Sequence, residues 1–402
     1  MKKFFTILST GIILSSMAAT KPMSFDKNFC QKPEFTSAKV NFKLPANVKA
    51  IFINGPKHKG KDTKIFACYG VPKTSKNQKV PGVILLHGSG GTAFANWVAL
   101  WNSRGYAAIA VDYHGRMPRG AGWKENSTSM VIPNGGPQEN QRYKMGLPQQ
   151  DSFTYHAVSS VLLAHSVLAL QNNVDKNKIG LIGVSMGAVL SLRLAGIDPR
   201  LNFVTAIYGC GHIMKGTLFG DRSKKNYKMS DKDVQEYIDS HDPAVYLKSA
   251  RCPVFFVNST NDPFFRTLPW NNSIAEVKSG AYQSMKINLR HSHVDSDVPE
   301  VKLFADWCSG KNIAIPRIST PVRLDNKLGA AINGVKTSEW KAELIWTKDK
   351  GFGSTRKWQS SPAEFNAAGN QLEAELPQGC RNAFFRVSNK SNAGFSSPHW
   401  IL

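Results

Sequence analysis

The sequence predicts an α/β domain with a mostly parallel central sheet, followed by a small all-β sandwich domain. Apolar runs typical of buried strands alternate with helical patterns over residues 37–310. Beyond this segment the pattern changes to short runs separated by Gly, Asn, Ser and Lys, without helical periodicity. The length of 402 residues also suits two folded units. We therefore expect an α/β domain over 37–310 and a β-sandwich over 317–402.

The N-terminal segment has the features of a secretory signal peptide. Lys2 and Lys3 precede an apolar run over 4–17, and small residues follow it. The run is too short for a membrane-spanning helix, which needs about 20 apolar residues. We expect residues 1–19 to be removed on export, which leaves a periplasmic or secreted protein without a transmembrane segment.

The α/β domain begins with short strand-like runs and continues in a strand–helix–strand order, which is the unit of a parallel sheet. Residues 113–150 are rich in Gly, Pro, Asn and Gln and predict a long loop. Residues 212–245 form a lysine-rich insertion, which we interpret as a lid. The strongest elements are strands that end near residues 87, 112, 184, 208, 259 and 289, with helices over about 152–171 and 299–308.

The net charge of +23 is dispersed in short basic clusters, for example over 56–62 and 221–228. Such a surface favours contact with anionic polysaccharide or lipid headgroups, or simply keeps the protein soluble. An exported protein meets these partners before nucleic acid, so we expect no nucleic-acid partner.

The histidines and cysteines lack metal-site spacing, and no metal or organic cofactor is implied.

The pentapeptide "GVSMG" over 183–187 satisfies the G-x-S-x-G pattern. The strand-like run "KIGLI" precedes it, and the helix-like run "GAVLSLRL" follows from its last glycine. Its glycines permit a turn sharp enough to hold a serine hydroxyl clear of the sheet. The alternative is a structural turn with a buried hydroxyl. The flanking elements favour Ser185 as a nucleophile.

A nucleophilic serine requires a base, and the base requires an orienting carboxylate. Asp262 follows the apolar strand "PVFFVNST", and His291 and His293 follow "MKINL". This order of serine, acid and histidine is the one that such a sheet uses. Asp262 also precedes a proline, so a simple turn role is its alternative. We predict His293 as the base, because it has a longer loop with which to reach the serine, and keep His291 as the alternate base.

An ester carbonyl under attack places negative charge on its oxygen, which two backbone N–H groups can stabilise. Met186, directly after the nucleophile, offers one of them. The segment "HGSGG" over 87–91 follows a central strand and offers the second, from Ser89 or from Gly90. A phosphate-binding loop is the alternative, but the segment lacks the spacing of those loops. We predict an oxyanion hole formed by Met186 and Ser89.

These segments resemble the α/β-hydrolase superfamily and, more narrowly, secreted bacterial hydrolases of the acetyl-xylan-esterase-like and dienelactone-hydrolase-like kinds. The resemblance covers about residues 60–310 and is carried by "PGVILLHGSGG", "KIGLIGVSMGA", "VFFVNSTNDPFF" and "RHSHVDSDVPE". It implies the Ser185, Asp262 and histidine triad, and a trailing sandwich of the immunoglobulin or fibronectin kind. Relatives commonly have "HGHG" where this chain has Ser292 and Val294, which leaves acyl and sugar specificity open.

The expected function is that of a secreted serine hydrolase that cleaves a small-molecule or polysaccharide ester, in the narrower case an acetyl ester of a polysaccharide. A serine peptidase of the oligopeptidase type is the first alternative, although such enzymes normally carry a large gating domain. A non-catalytic surface-binding protein is the second. Four tryptophans of the second domain can stack on sugars, but we interpret them as core residues: Trp340, Trp346, Trp358 and Trp400.

Overall fold

The computed structural model describes residues 22–75, 78–122, 129–350, 355–366 and 368–402, so the predicted signal peptide lies outside the described residues. The strands of the first domain are β1 (Phe35–Ser37), β2 (Val48–His58), β3 (Lys61–Gly70), β4 (Val80–Leu86), β5 (Ala107–Val111), β6 (Arg116–Pro118), β7 (Ser129–Val131), β8 (Val174–Val184), β9 (Val204–Ile207), β10 (Val254–Ser259) and β11 (Ala281–Lys286). Its α-helices are α1 (Ala95–Ser103), α2 (Phe153–Ala169), α3 (Met186–Ile197), α4 (Leu218–Asn226), α5 (Asp231–Glu236), α6 (Pro243–Leu247), α7 (Thr267–Ala275) and α8 (Pro299–Cys308).

Nine of these strands form one sheet in the order β1-β2-β3-β5-β4-β8-β9-β10-β11. The pairs from β5 to β11 are parallel, and those from β1 to β5 are antiparallel. Strands β5 and β10 are buried along their whole length, which explains their continuous apolar sequences. The predicted α/β class with flanking helices is confirmed, and the carboxyl ends of β8, β10 and β11 lie at one edge of the sheet.

The second domain consists of two antiparallel sheets. Its strands are β12 (Arg317–Ile318), β13 (Val322–Leu324), β14 (Lys327–Asn333), β15 (Trp340–Thr347), β16 (Gln359–Pro362), β17 (Glu364–Phe365), β18 (Gln371–Glu375), β19 (Asn382–Asn389), β20 (Gly394–Ser396) and β21 (Trp400–Ile401). One sheet has the order β12-β14-β18-β17, with β13 beside β14; the other has the order β16-β15-β19-β20, with β21 beside β19. The predicted C-terminal β domain is thus confirmed.

The tryptophans of the second domain belong to its core. Trp340 and Trp346 are each 8% exposed, and the half-buried Trp358 packs against Phe384 and His399. The domain also packs along the first one, because the Met285 N–H of β11 donates to the Ser396 hydroxyl of β20 at 3.0 Å. The second domain therefore covers the last strand of the central sheet.

Within the described ranges no helix is long and apolar enough to cross a membrane. All six cysteines are unpaired, and three of them are buried in the first domain: Cys68, Cys210 and Cys252. The predicted insertion over 212–245 contains α4, α5 and a π-helical turn over Tyr237–His241 and ends within α6.

Candidate active site

Ser185 lies in the tight turn between β8 and α3. Its φ of 56° and ψ of −116° are strained for a residue with a Cβ, and strain of this kind persists only where the surroundings impose it. A Cβ at Gly183 would lie 2.2 Å from the Gly187 carbonyl oxygen, and one at Gly187 would lie 2.3 Å from the Leu86 carbonyl oxygen. Both glycines of the pattern are therefore required for close backbone approach, and the half-buried serine is held at the strand end.

Asp262 lies in the turn after β10, and its carboxylate is buried. Its Oδ1 accepts the N–H groups of Phe264 and Phe265 at 2.8 and 2.7 Å, which fixes the turn. Its Oδ2 lies 2.6 Å from the Nδ1 atom of His291. The turn role and the acid role, which the sequence presents as alternatives, are filled by different oxygens of one carboxylate.

His291 joins Asp262 to Ser185. Its Nε2 lies 2.9 Å from the Ser185 Oγ, so a continuous hydrogen-bonded chain runs from carboxylate to imidazole to hydroxyl. The rings of Tyr208 and Phe264 pack against the imidazole, with centroid distances of 4.6 and 4.9 Å. Such packing limits the rotation of the ring and keeps both nitrogens aligned with their partners.

The structure contradicts the prediction of His293 as the base, because His291 is the histidine whose Nε2 lies within hydrogen-bond distance of the Ser185 Oγ. The His293 Nε2 accepts the Gly88 N–H at 2.6 Å. The reversal after β11, with Asn288 at a φ of 54°, already brings His291 to the serine, so no longer loop is needed. The next turn, closed by the Asp295 N–H on the Ser292 hydroxyl at 3.0 Å, then carries His293 toward the segment 87–91.

The segment 87–91 lies directly against Ser185. A Cβ at Gly88 would lie only 3.0 Å from the Ser185 Cβ. Ser89 follows on the exposed side, and Met186 is the first residue of α3. Within the described residues we find no acceptor for the N–H of Ser89 or of Met186. The two predicted donors thus belong to segments that adjoin Ser185, and their N–H groups are available to a ligand.

Arg142 and Phe219 lie beside this site and are absent from the residues predicted above. The Arg142 Nη1 lies 3.1 Å from the Ser89 Oγ and equally close to the Glu139 carboxylate. Its guanidinium covers the Phe219 ring at 5.0 Å. Phe219, from the insertion, lies 6.3 Å from Phe264. The long loop and the insertion thus each place a side chain beside the site, but neither side chain lies in a local sequence pattern that could have indicated it.

A strained serine turn and a serine–histidine–aspartate chain on a mostly parallel sheet define a class of protein, the hydrolases of the α/β-hydrolase fold. The profile of the dienelactone hydrolase family matches residues 68–289, more than half of the chain, and the chain belongs to this family. The resemblance stated from the sequence is thereby confirmed.

Solved structures of similar fold include two acetyl xylan esterases. Acetyl xylan esterase 1 from Thermoanaerobacterium sp. JW/SL YS485 is 16% identical, with a TM-score of 0.50 over 72% of this chain and 94% of that one. The enzyme from Paenibacillus sp. R4 is 15% identical, with a TM-score of 0.49 over 70% and 95%. A glucuronoyl esterase from Solibacter usitatus is 12% identical, with a TM-score of 0.45 over 70% and 86%. A search of curated proteins found no match.

Proposed function

We propose that the protein is a serine hydrolase that cleaves carboxylic esters through an acyl-enzyme. One observation carries the proposal: a continuous chain of hydrogen bonds from Asp262 through His291 to Ser185, whose hydroxyl stands on a strained turn. A serine hydroxyl is a weak nucleophile until a positioned base removes its proton. This arrangement provides that base together with the carboxylate that orients it.

In the proposed mechanism the His291 Nε2 takes the hydroxyl proton as the Ser185 Oγ bonds to the ester carbonyl carbon. Asp262 accepts the Nδ1–H bond and stabilises the imidazolium that forms. The N–H groups of Met186 and Ser89 hold the oxyanion, one such donor being worth roughly 3–4 kcal/mol. His291 then gives its proton to the departing alcohol. Water, activated by the same histidine, releases the acid and restores the serine.

Acetyl esters of polysaccharides are the substrate class that we propose first. The support is the acetyl xylan esterase of similar fold from Thermoanaerobacterium, together with family membership.

We also propose that the protein works outside the cytoplasm, because its N-terminus has a signal-like sequence. Its charge of +23 favours contact with anionic surfaces. Fractionation of cells that express the full chain, with N-terminal sequencing of the product, tests the export proposal.

The first test is hydrolysis of p-nitrophenyl acetate by the purified protein. We expect Ser185→Ala and His291→Ala each to reduce kcat by at least roughly 10⁴-fold, as removal of a triad member does. Ser103→Ala is the matched control, because its hydroxyl bonds only to the Leu100 carbonyl on the surface of α1. Equal turnover by the wild-type protein and the Ser185→Ala variant would contradict the proposal and favour a non-catalytic binding role.

A comparison of substrates distinguishes an esterase from a peptidase. Acetylated xylan, a feruloyl ester and a blocked peptide amide should be offered to the wild-type protein and to Ser185→Ala in parallel. We expect release of acetate from acetylated xylan and no cleavage of the amide. A higher kcat/KM on the peptide than on every ester would show a peptidase instead.

A further inference from the structure

We propose that His87, Tyr113 and His293 form a clamp on the two peptide groups that flank Gly88, and that this clamp aims the Ser89 N–H at the oxyanion. We call these three residues the Gly88 clamp. The proposal rests on the proposed function, because it assigns the three side chains as positioning residues for ester hydrolysis.

The first peptide group, between His87 and Gly88, is held at both ends. The Tyr113 hydroxyl donates to the His87 carbonyl oxygen at 2.6 Å. The Gly88 N–H donates to the His293 Nε2, also at 2.6 Å. A peptide group is planar, so two bonds on its opposite sides determine both its position and its rotation.

The second peptide group, between Gly88 and Ser89, is held at its carbonyl alone. The Gly88 oxygen accepts the Gly91 N–H at 3.0 Å and lies 2.9 Å from the His87 Nδ1. Because a carbonyl oxygen only accepts, Nδ1 carries the proton in this contact. The N–H of a trans peptide points away from its C=O. Two donors on the oxygen therefore direct the Ser89 N–H outward, to the side where no acceptor lies among the described residues.

The ring of His87 is itself fixed from the interior. It stacks on the Tyr113 ring at 4.5 Å with an angle of 16° between the planes. Its Nε2 lies 3.5 Å from the Asp112 Oδ2, which also accepts the Thr92 hydroxyl at 3.0 Å. Burial opposes ionisation of Asp112, yet the neighbouring His87 keeps the pKa of this carboxyl below its usual value. The Tyr113 ring and the buried Asp112 carboxylate therefore both lie against the His87 ring.

His293 is suited to accept a hydrogen bond. The pKa of His293 is lowered to about 4, mainly by burial of the ring and to a smaller extent by the nearby His87 and His291. The ring is therefore neutral near pH 7. A neutral imidazole with a bare Nε2 is an acceptor, whereas an imidazolium is not. The residue that was predicted as the base thus lies one turn from the base and supports the segment that carries the proposed oxyanion donor.

The clamp matters for rate because oxyanion donors act only when they are placed in advance of the reaction. Removal of one donor in such a site costs roughly 10²–10³-fold in kcat. A donor that is retained but misaligned should cost less. The expected signature is a loss in kcat with little change in KM, since the oxyanion exists in the transition state and not in the bound ester.

The test compares His293→Leu, His293→Gln and Tyr113→Phe with the wild-type protein on p-nitrophenyl acetate. We expect His293→Leu to lower kcat by roughly 10–100-fold with KM within about threefold. His293→Gln offers a side-chain oxygen to the Gly88 N–H and should recover part of that loss. Tyr113→Phe removes only the hydroxyl on the His87 carbonyl and should lower kcat by roughly 3–10-fold. His58→Gln is the matched control, because this histidine of β2 packs on His156 and not on the residues of the clamp.

Inhibition by a trifluoromethyl ketone provides the second measurement. The hemiketal that this ketone forms with the Ser185 Oγ carries a negatively charged oxygen in the position of the oxyanion. We expect the inhibition constant to rise across the variants in parallel with the loss in kcat/KM. If wild-type turnover is present and both His293→Leu and Tyr113→Phe retain it, the clamp is overturned while the proposed function stands. If the wild-type protein cleaves no ester, the proposed function fails and the clamp fails with it. If His293→Leu does not fold, Tyr113→Phe alone decides the matter.

Discussion

Two turns at the carboxyl edge of the sheet bring Ser185 and His291 together, and they are held by different forces. The nucleophile turn, residues 183–187, is held by its backbone, since a Cβ at either glycine would lie within 2.3 Å of a carbonyl oxygen. The histidine turn, residues 290–295, is held by side chains: His291 bonds to Asp262, His293 to Gly88, and Ser292 to Asp295.

The difference teaches that the two turns should fail in different ways. Steric contact between backbone atoms permits no gradual adjustment, because the interior is close-packed. Hydrogen bonds between side chains are individually worth about 1 kcal/mol and can be removed one at a time. We therefore expect graded losses for the contacts of the histidine turn, with the contact of His291 to Asp262 at the top of the scale, and an abrupt loss in the nucleophile turn.

The largest effect is expected for Asp262→Asn, which keeps the shape of the acid but removes its charge. An asparagine amide presents a donor to the His291 Nδ1 and favours the wrong tautomer, which in such triads lowers kcat about 10⁴-fold. The measurement is kcat on p-nitrophenyl acetate, with the circular dichroism spectrum as a check of folding. Asp297→Asn is the control, because that carboxylate only pairs with Arg104 at the surface. A loss below tenfold would contradict the assignment of the acid.

The second effect is expected for Gly187→Ala. Its new Cβ would lie 2.3 Å from the Leu86 oxygen and 2.5 Å from the His87 oxygen, so strand and helix must separate. We expect kcat to fall by roughly 10²–10³-fold from displacement of Ser185 and the free energy of unfolding to fall by about 1–3 kcal/mol. Gly60→Ala is the matched control, since a Cβ there meets no atom within 4 Å and only the positive φ of 78° resists it. Retention of both rate and stability in Gly187→Ala would contradict the steric account.

The third effect is a pH dependence confined to the histidine turn, because residues 183–187 contain no titratable side chain. The pKa of His293 is about 4 in the folded protein, against about 6.5 when unfolded. Between these values the unfolded chain binds the proton and the folded chain does not. Stability therefore falls as the pH falls from about 6.5 to about 4, by on the order of 2–3 kcal/mol for this group.

Urea unfolding at pH 7, 5.5 and 4.5 measures this dependence for the wild-type protein and for His293→Gln. We expect the wild-type free energy of unfolding to fall more steeply on acidification than that of the variant, since other buried histidines are common to both. Parallel curves would show that His293 titrates normally.

The smallest effect is expected for Ser292→Ala. The Ser292 hydroxyl donates to the Asp295 carboxylate at 2.6 Å and accepts the Asp295 N–H at 3.0 Å, on a half-buried turn. Its loss should cost about 1 kcal/mol of stability and lower kcat by a few-fold, because His291 keeps its own two partners. Thermal melting and kcat are the measurements. A loss as large as that of Asp262→Asn would mean that the turn as a whole, rather than Asp262, orients the base.

The same contrast explains how far the sequence could predict this site. The nucleophile turn follows from five residues and two flanking elements, because its constraint is local. Asp262 could be selected from its position after a buried strand. The choice between His291 and His293 could not be made locally, because it depends on where Asn288 reverses the chain and on the contact of His293 with Gly88. Loop length, on which the prediction relied, was not the deciding quantity.

The fold could be predicted from the alternation of strand and helix patterns, because the spacing of apolar residues along the chain indicates which side of each element is buried. Three contributions to the site came from distant segments that lack a pattern of their own. Tyr113 follows a predicted strand, Arg142 lies in the polar loop, and Phe219 lies in the insertion. Side chains of this kind become visible only when tertiary structure brings them together.

The contact between the two domains has a consequence for any attempt to use them separately. Besides the bond from Met285 to Ser396, the Asn271 side chain exchanges two hydrogen bonds with the main chain of His399. Strand β11 is the last strand of the central sheet, and the second domain covers this edge. A cut after α8 would expose the edge, and an exposed sheet edge is a template for self-association. We therefore expect a chain that is truncated after α8 to self-associate more readily than the full chain. Variants that are designed for expression or fusion should therefore keep the first and second domains together.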